Sequence, residues 1–238
     1  TATAGDAVTN HMLLIRAALR EVGIAGNIFV GENRAPKSYD IQTFMPAKMW
    51  NSDLVLVHHS HGNPLLQELF KVEIPRALIY HNVTPASFFR HDPFMARFSQ
   101  KGRDELQAFQ GNCVAAFGVS RFNCAELEVM GFVRPQIFPL LDLSTPFSPH
   151  AVIGRRVATA ARTLLFVGKQ TPHKNQSLLL QVLFYLQKND PGKYRLVLAG
   201  RADPVYAEYL RLLAKVLGLR SAVTFTGPIS QSQLEGLY

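Results

Sequence analysis

The sequence predicts an α/β protein built from two Rossmann-like, doubly wound parallel-sheet domains. Three observations predict it. First, runs such as Asp53-Leu54-Val55-Leu56-Val57-His58, Arg76-Ala77-Leu78-Ile79-Tyr80-His81 and Thr163-Leu164-Leu165-Phe166-Val167-Gly168 are apolar on consecutive residues, as strands covered on both faces are. Second, stretches of helical spacing alternate with these runs, the order of a parallel sheet with helices on both sides. Third, the alternation breaks once, between Asp142 and Ala161, where Ser144, Thr145, Pro146, Ser148 and Pro149 crowd together, and then restarts.

The elements follow in order. Val8, Met12, Ile15, Leu19 and Val22 recur at helical spacing, and Gly23 is a natural stop. Asn27 to Val30 is a short strand, and Asp53 to His58 a buried one. Asn63-Pro64 supplies an N-cap and a proline at the first helical position for a helix running through Phe70. After the strand Arg76 to His81 come a helix from Met95 to Phe109 and a strand from Cys113 to Val119. Ser120 caps a helix ending near Gly131, and Gln136 to Leu140 is the last strand of this half. The second series begins with the strand Thr163 to Gly168. A helix from Asn175 to Gln187 follows, with Leu178, Leu179, Val182, Leu183 and Leu186 on one face. The strand Tyr194 to Ala199 ends at Gly200, Asp203-Pro204 opens a helix that Gly218 closes, and Val223 to Thr226 is a strand. Ser230 with Gln233 forms a capping box. The sequence opens on a loop and helix with no strand before them, and the second series holds three strands, so both ends read as cut.

The totals narrow the function classes. With 47% hydrophobic and 18% charged residues, the 238-residue chain has a globular composition. No apolar run is long enough to span a bilayer, and the N-terminus lacks the pattern of a signal peptide. A net charge of +8 favours anionic partners. The basic residues are scattered, which speaks against nucleic acid and for phosphorylated ligands or an anionic membrane face. Cys113 and Cys124 have neither zinc spacing nor a disulfide framework and read as free thiols.

In doubly wound sheets ligands bind beyond the C-terminal ends of the strands. Gly168-Lys169-Gln170-Thr171-Pro172-His173-Lys174-Asn175 lies at such an exit, where two lysines beside a helix N-terminus form an anion site. On charge alone an ordinary solvated loop with surface lysines is the better explanation. His58, His59 and His61 cluster at another exit with metal-ligand spacing, but no carboxylate or cysteine pattern completes a set. His81 ends the next strand. Ser120 is explained as a helix cap, and Phe88-Phe89-Arg90-His91 as packing. There is no Gly-x-Gly-x-x-Gly run after a strand, which argues against a nicotinamide enzyme.

Phe166-Val167-Gly168-Lys169 followed by Lys174 and Leu178-Leu179-Leu180 resembles the start of the donor domain in glycosyltransferase family 4, the group 1 glycosyltransferases of GT-B fold. Leu196-Val197-Leu198-Ala199-Gly200 and Val223-Thr224-Phe225-Thr226-Gly227 resemble the family's next two strands, and Gly5-Asp6-Ala7-Val8 its first phosphate-facing loop. The family usually has Gly-Arg, a few residues, then Lys-Gly, so Lys169 stands where Arg is usual and Asn175 where Gly is usual. The acidic motif of the family would lie beyond Tyr238.

The resemblance implies two Rossmann-like domains facing a cleft. They are an acceptor-side domain at 1–145 without its first strand, a linker at 146–162, and a partial donor-binding domain at 163–238. It implies transfer of a hexose, with retention, from a nucleotide-sugar donor to a saccharide or lipid-linked hydroxyl in polysaccharide or glycolipid biosynthesis. Lys169, Lys174, Gly5 and Gly168 would bind the donor diphosphate, and His81 would face the donor sugar as the catalytic histidine. His59, His61 and Gly200 are candidates for lining the cleft. No metal or other cofactor is expected. The implied setting is the cytoplasm, with peripheral contact at the inner membrane face and no nucleic-acid partner. The alternative is a non-catalytic nucleotide-sugar binder or an inactive fragment.

Overall fold

The structure is a computed structural model that describes residues 1–49, 51–140 and 161–237. The chain divides into two compact units, Thr1–Pro146 and Phe147–Tyr238. The expected linker lies outside the described residues, apart from its last two positions.

The first unit opens with helix α1 (Ala7–Glu21), then the parallel pair β1 (Ile28–Val30) and β2 (Ile41–Thr43). Asp6 caps α1 by accepting from the Thr9 amide at 2.8 Å and the Thr9 hydroxyl at 2.9 Å. Ala2, fully buried, makes a single parallel bridge with Asn33, a sheet contact before α1 too short to leave a sequence pattern. The strand β2 was also missed, because its three residues follow a turn whose Asp40 adopts a left-handed φ of 48°.

A four-stranded parallel sheet forms the body of this unit, in the order β3 (Val55–His59), β4 (Arg76–Tyr80), β5 (Ala115–Gly118), β6 (Gln136–Ile137). The register sets His59 opposite Tyr80 and Tyr80 opposite Gly118. The exits of three strands therefore line up along one edge. Helices α2 (Leu66–Phe70), α3 (Pro93–Phe109) and α4 (Arg121–Val129) connect the strands, and Leu78, Tyr80, Leu106, Phe109 and Leu127 form the centre of the core. Two boundaries differ from expectation. The Asn63 side chain accepts from the Leu65 amide at 3.0 Å, closing a local turn that delays α2 to Leu66. β6 pairs over two residues, well short of Leu140.

Helix α3 approaches the β3 exit through two glycines. A Cβ on Gly102 would lie 2.6 Å from the Gly62 nitrogen and 2.7 Å from the His61 carbonyl carbon. Alanine is the better helix former by about 1 kcal/mol, yet here the added methyl meets backbone on both sides. Gly102→Ala should therefore destabilise the protein by about 1–3 kcal/mol, measured as a lowered urea midpoint. An unchanged or raised midpoint would show that α3 does not sit this close.

The second unit is a three-stranded parallel sheet in the order β7 (Arg162–Val167), β8 (Tyr194–Ala199), β9 (Val223–Gly227). Helices α5 (Gln176–Asn189), α6 (Pro204–Val216) and α7 (Gln231–Glu235) alternate with the strands. Asp203 caps α6 through the Tyr206 amide at 3.0 Å, and the capping box of Ser230 and Gln233 is present in both directions. Leu180, Leu183, Leu196, Leu198 and Leu210 make the core. The buried face of α5 thus runs through Gln176, Leu180 and Leu183, whereas Leu178 and Val182 face outward. A helix apolar on nearly every side offers no periodicity by which to choose its buried face. Among the described residues no helix is long and apolar enough to cross a membrane. Cys124 is buried, Cys113 half-buried, and both are free.

Candidate functional site

Two clusters of polar side chains sit at strand exits, one in each unit. In the first unit, β3 alternates its side chains, so the neighbours His58 and His59 point to opposite faces. His59 turns inward: it is 1% exposed, its Nε2 bonds the Gly102 carbonyl at 2.7 Å, and its ring packs on Phe109. His59 is therefore a core residue of α3 packing, which corrects the expectation that it lines a cleft. His61 is exposed, with Nδ1 2.9 Å from the Ser60 hydroxyl and its ring over Phe98.

His58 turns the other way and meets His81, with Nδ1 of the first 2.8 Å from Nε2 of the second. His81 continues β4 by donating its backbone N–H to the His59 carbonyl at 2.9 Å. The loop beyond it is held firmly. The Tyr80 hydroxyl donates to Glu126 at 3.0 Å and accepts from the Val83 amide at 3.1 Å. Arg103 pairs with Glu126 at 3.1 Å and donates to the Val83 carbonyl at 2.8 Å. Burial pushes the Tyr80 phenol up to about 12, so it stays a donor. This network fixes the left-handed Asn82, at φ 68°, and thereby the direction in which His81 points.

A third imidazole completes the cluster. His11, on α1, is 3% exposed and lies edge-on to both His58 and His81, at 5.4 Å between ring centroids. The sequence offered no sign of it, because the apolar residues of α1 suggested the wrong buried face. The residues of α1 that are buried are Thr9, His11 and Arg16, the last donating to the Tyr39 and Asp40 carbonyls at 2.6 Å and 2.7 Å. Burial pushes His81 down to about 4, with the facing His11 adding to the shift and Asp6 opposing it. His58 is held well below the usual imidazole range by burial and by the two facing rings. All three are neutral near pH 7 on this ground. Gly5, at φ 75°, has open space where a Cβ would stand, so its backbone is approachable.

In the second unit the loop Gly168 to Asn175 is held by two buried glutamines that sequence reasoning passed over. The Gln170 amide donates to the Leu198 and Gly200 carbonyls at 3.3 Å and 3.2 Å, and the Gln176 amide donates to the Lys169 carbonyl at 3.2 Å. Both side chains are at most 1% exposed. Gly168 donates to the Ala199 carbonyl, and Gly200 packs against Gly168, so Gly200 supports the loop from beneath. Pro172–Lys174 make one turn of 3₁₀-helix, and Asn175 then enters α5 with a left-handed φ of 54°. The glycine usual in the resembling family fits that conformation, and asparagine is the substitute that tolerates it best.

Lys169 and Lys174 are exposed, and neither joins an ion pair among the described residues. Between them His173 has its pKa lowered by burial first, then by Lys174 and Lys169. The two lysines thus add a smaller electrostatic contribution to the effect of burial.

With this geometry in view, residues 155–238 match the family model described as glycosyl transferases group 1. The described fold is the α/β, parallel-sheet fold of GT-B glycosyltransferases. HepE from Anabaena, solved with UDP, superposes with a TM-score of 0.66 at 15% identity, over 98% of this chain and 69% of that one. The same protein has been solved with UDP-glucose. WaaG, a glycosyltransferase involved in lipopolysaccharide biosynthesis, gives a TM-score of 0.60 at 15% identity, over 100% and 70%. TarM gives 0.55 at 11% identity, over 76% of this chain and 34% of its own. The chain thus spans about a third of TarM and about seven-tenths of the other two. No curated protein sequence matches it.

Proposed function

We propose that this chain carries the donor-binding part of a retaining glycosyltransferase that moves a hexose from a nucleotide-sugar to a hydroxyl of a saccharide or lipid-linked acceptor, in polysaccharide or glycolipid assembly. One observation carries the reading: the stretch matching the group 1 family model contains two exposed lysines, without an ion pair among the described residues, on a loop held by buried glutamines at a strand exit. The relatives in fold solved with UDP and UDP-glucose support a nucleotide-sugar as ligand.

The roles follow from charge and position. Lys169 and Lys174 neutralise the donor diphosphate, Lys174 from the turn that leads into α5, where the helix dipole adds to its charge. The same groups stabilise the diphosphate as it departs, when its charge is largest. Gly5 and Gly168 allow backbone to approach phosphate oxygens. His81, neutral and directed by the Tyr80–Glu126–Arg103 network, hydrogen-bonds the transferred sugar. A departing phosphate oxygen takes the acceptor proton.

The test is a panel of nucleotide-hexoses differing in base and sugar, with binding followed by calorimetry and turnover by release of nucleoside diphosphate. The anomeric configuration of the product is read by NMR. Saturable binding of one donor class with retained configuration is expected. Binding without hydrolysis or transfer would reduce the chain to a nucleotide-sugar binder, and no binding would end the proposal.

A further signature accompanies it. A diphosphate seated between Lys169 and Lys174 offsets the lysine contribution, the smaller part of what lowers the His173 pKa after burial. The His173 pKa, followed by NMR, should therefore rise on addition of nucleoside diphosphate. A titration curve that does not move would place the diphosphate elsewhere.

A further inference from the structure

His11, His58 and His81 converge from three separate elements: the second turn of α1, the end of β3 and the exit of β4. One ligand-type nitrogen from each lies within 4.8 Å of the other two. The ring centroids form a nearly equilateral triangle with sides of 5.0, 5.4 and 5.4 Å. Three imidazoles radiating from one tetrahedral ion, with metal–nitrogen bonds of about 2.0–2.1 Å, place their centroids about 5 Å apart. The ring centroids therefore stand near the spacing a shared ion needs, while the facing nitrogens of His58 and His81 stand closer than that, in mutual contact.

The polar atoms point the same way. Nδ1 of His11 is buried and has no hydrogen-bond partner among the described residues. Buried polar atoms are normally satisfied, so the orphaned His11 nitrogen beside the two facing rings calls for a partner. Phe138 packs on the His11 ring at 5.1 Å and gives the cluster an apolar wall.

We propose that His11, His58 and His81 bind one divalent transition-metal ion of the zinc class through three imidazole nitrogens, with the fourth position left to water. The ligand set is nitrogen only, which suits zinc, copper, nickel or cobalt and does not suit magnesium or calcium. Binding asks for a small rearrangement. Ligand nitrogens on a tetrahedral ion lie about 3.3 Å apart, so His58 and His81 separate by about half an ångström from their 2.8 Å contact. The ring that donates in that contact shifts its proton to its other nitrogen, and both lone pairs turn to the ion. Neutral imidazoles are the ligand form.

The ion is not assigned to the transfer step. His81 is the residue given to the donor sugar in the proposed function, so an ion on His81 takes that group away from the sugar. The site is then inhibitory, and this consequence alone rests on the proposed function.

The experiment uses the full chain freed of metal with a chelator. Cobalt(II) is titrated in and followed by its visible absorption, and zinc is then added in competition. One equivalent of cobalt with the intense spectrum of tetrahedral coordination, displaced by zinc, is expected. His11→Gln and His58→Gln, checked for folding by circular dichroism, should each weaken cobalt binding at least tenfold, on the order of the loss seen when even an outer-shell partner is removed. His91→Ala, at an exposed histidine outside the cluster, should leave it unchanged. Cobalt binding that is absent, weak and non-stoichiometric, or insensitive to both glutamine variants in folded protein overturns the site. Zinc that binds as expected without slowing sugar transfer supports the site and overturns the role given to His81.

Discussion

Lys174→Ala lowers kcat/KM for the nucleotide-sugar donor by about a hundredfold or more, the scale of losing one charged group that stabilises a leaving oxyanion. Folding stability stays within about 0.5 kcal/mol of the parent. The two halves of this result come from different facts. The Lys174 side chain is exposed and makes no ion pair among the described residues, so the folded state loses little with it. Its backbone N–H donates to the Thr171 carbonyl at 2.9 Å whatever side chain it carries, so the turn keeps its shape. The charge is needed when diphosphate binds, and more so when it leaves, so kcat falls as well as affinity. Lys174→Arg restores part of the rate, because it keeps the charge and alters its geometry. Lys169→Arg binds diphosphate as well as the parent or better, since a guanidinium can donate twice to one phosphate. Steady-state kinetics with a matched thermal melt decide the matter: a Lys174→Ala enzyme with undiminished donor turnover would remove the diphosphate clamp from this loop.

How much of this was legible in the sequence depended on how local the cause was. The strands β3, β4, β7 and β8 are continuous apolar runs legible in consecutive residues, although only β4 is buried nearly throughout and no residue of β7 is fully buried. Asp203-Pro204 and the Ser230–Gln233 box are capping signals complete within a few positions, and both stand in the structure. The lysine loop was legible for the same reason, lying between an evident strand and an evident helix. What sequence reasoning missed depends on distant partners. His59 and His58 are adjacent in sequence, and only the side of the sheet decides that one packs under α3 while the other faces His81. His11 is 47 and 70 residues away from its two partners, on a helix whose buried face is polar, so neither spacing nor hydrophobic periodicity could have joined them. Gln170 and Gln176 were passed over because a buried glutamine looks like any surface glutamine until its carbonyl partners are known. Asn175 looked like a departure from the family pattern, and its left-handed φ of 54° shows that the backbone requirement behind that pattern is kept.

The same loop can be broken without touching a charge, by Gly200→Ala. Gly200 has a φ of 126°, a conformation that a side chain strongly disfavours. A Cβ there would also fall well inside van der Waals contact of the Gly168 carbonyl oxygen and 2.8 Å from its carbonyl carbon. The neighbour is backbone, held in turn by the Gly168 amide on Ala199 at 2.9 Å and by Gln170 on the Leu198 and Gly200 carbonyls. It cannot give way by a rotamer change, so the strain is relieved only by moving the β7 exit away from the β8 exit. Strain at such a position and overpacking each cost about 1–3 kcal/mol, so a total loss of about 2–6 kcal/mol is expected from the urea midpoint. What survives folded should also bind nucleoside diphosphate more weakly, because the displaced segment carries Lys169. The contrast with Lys174→Ala separates the two ways of losing the donor. One removes the charge from an intact loop and leaves stability alone; the other leaves both lysines in place and displaces their support. Equal stability of Gly200→Ala and the parent would mean that the two glycines do not pack as closely as the structure places them, and the loop would then owe its shape to the glutamines alone.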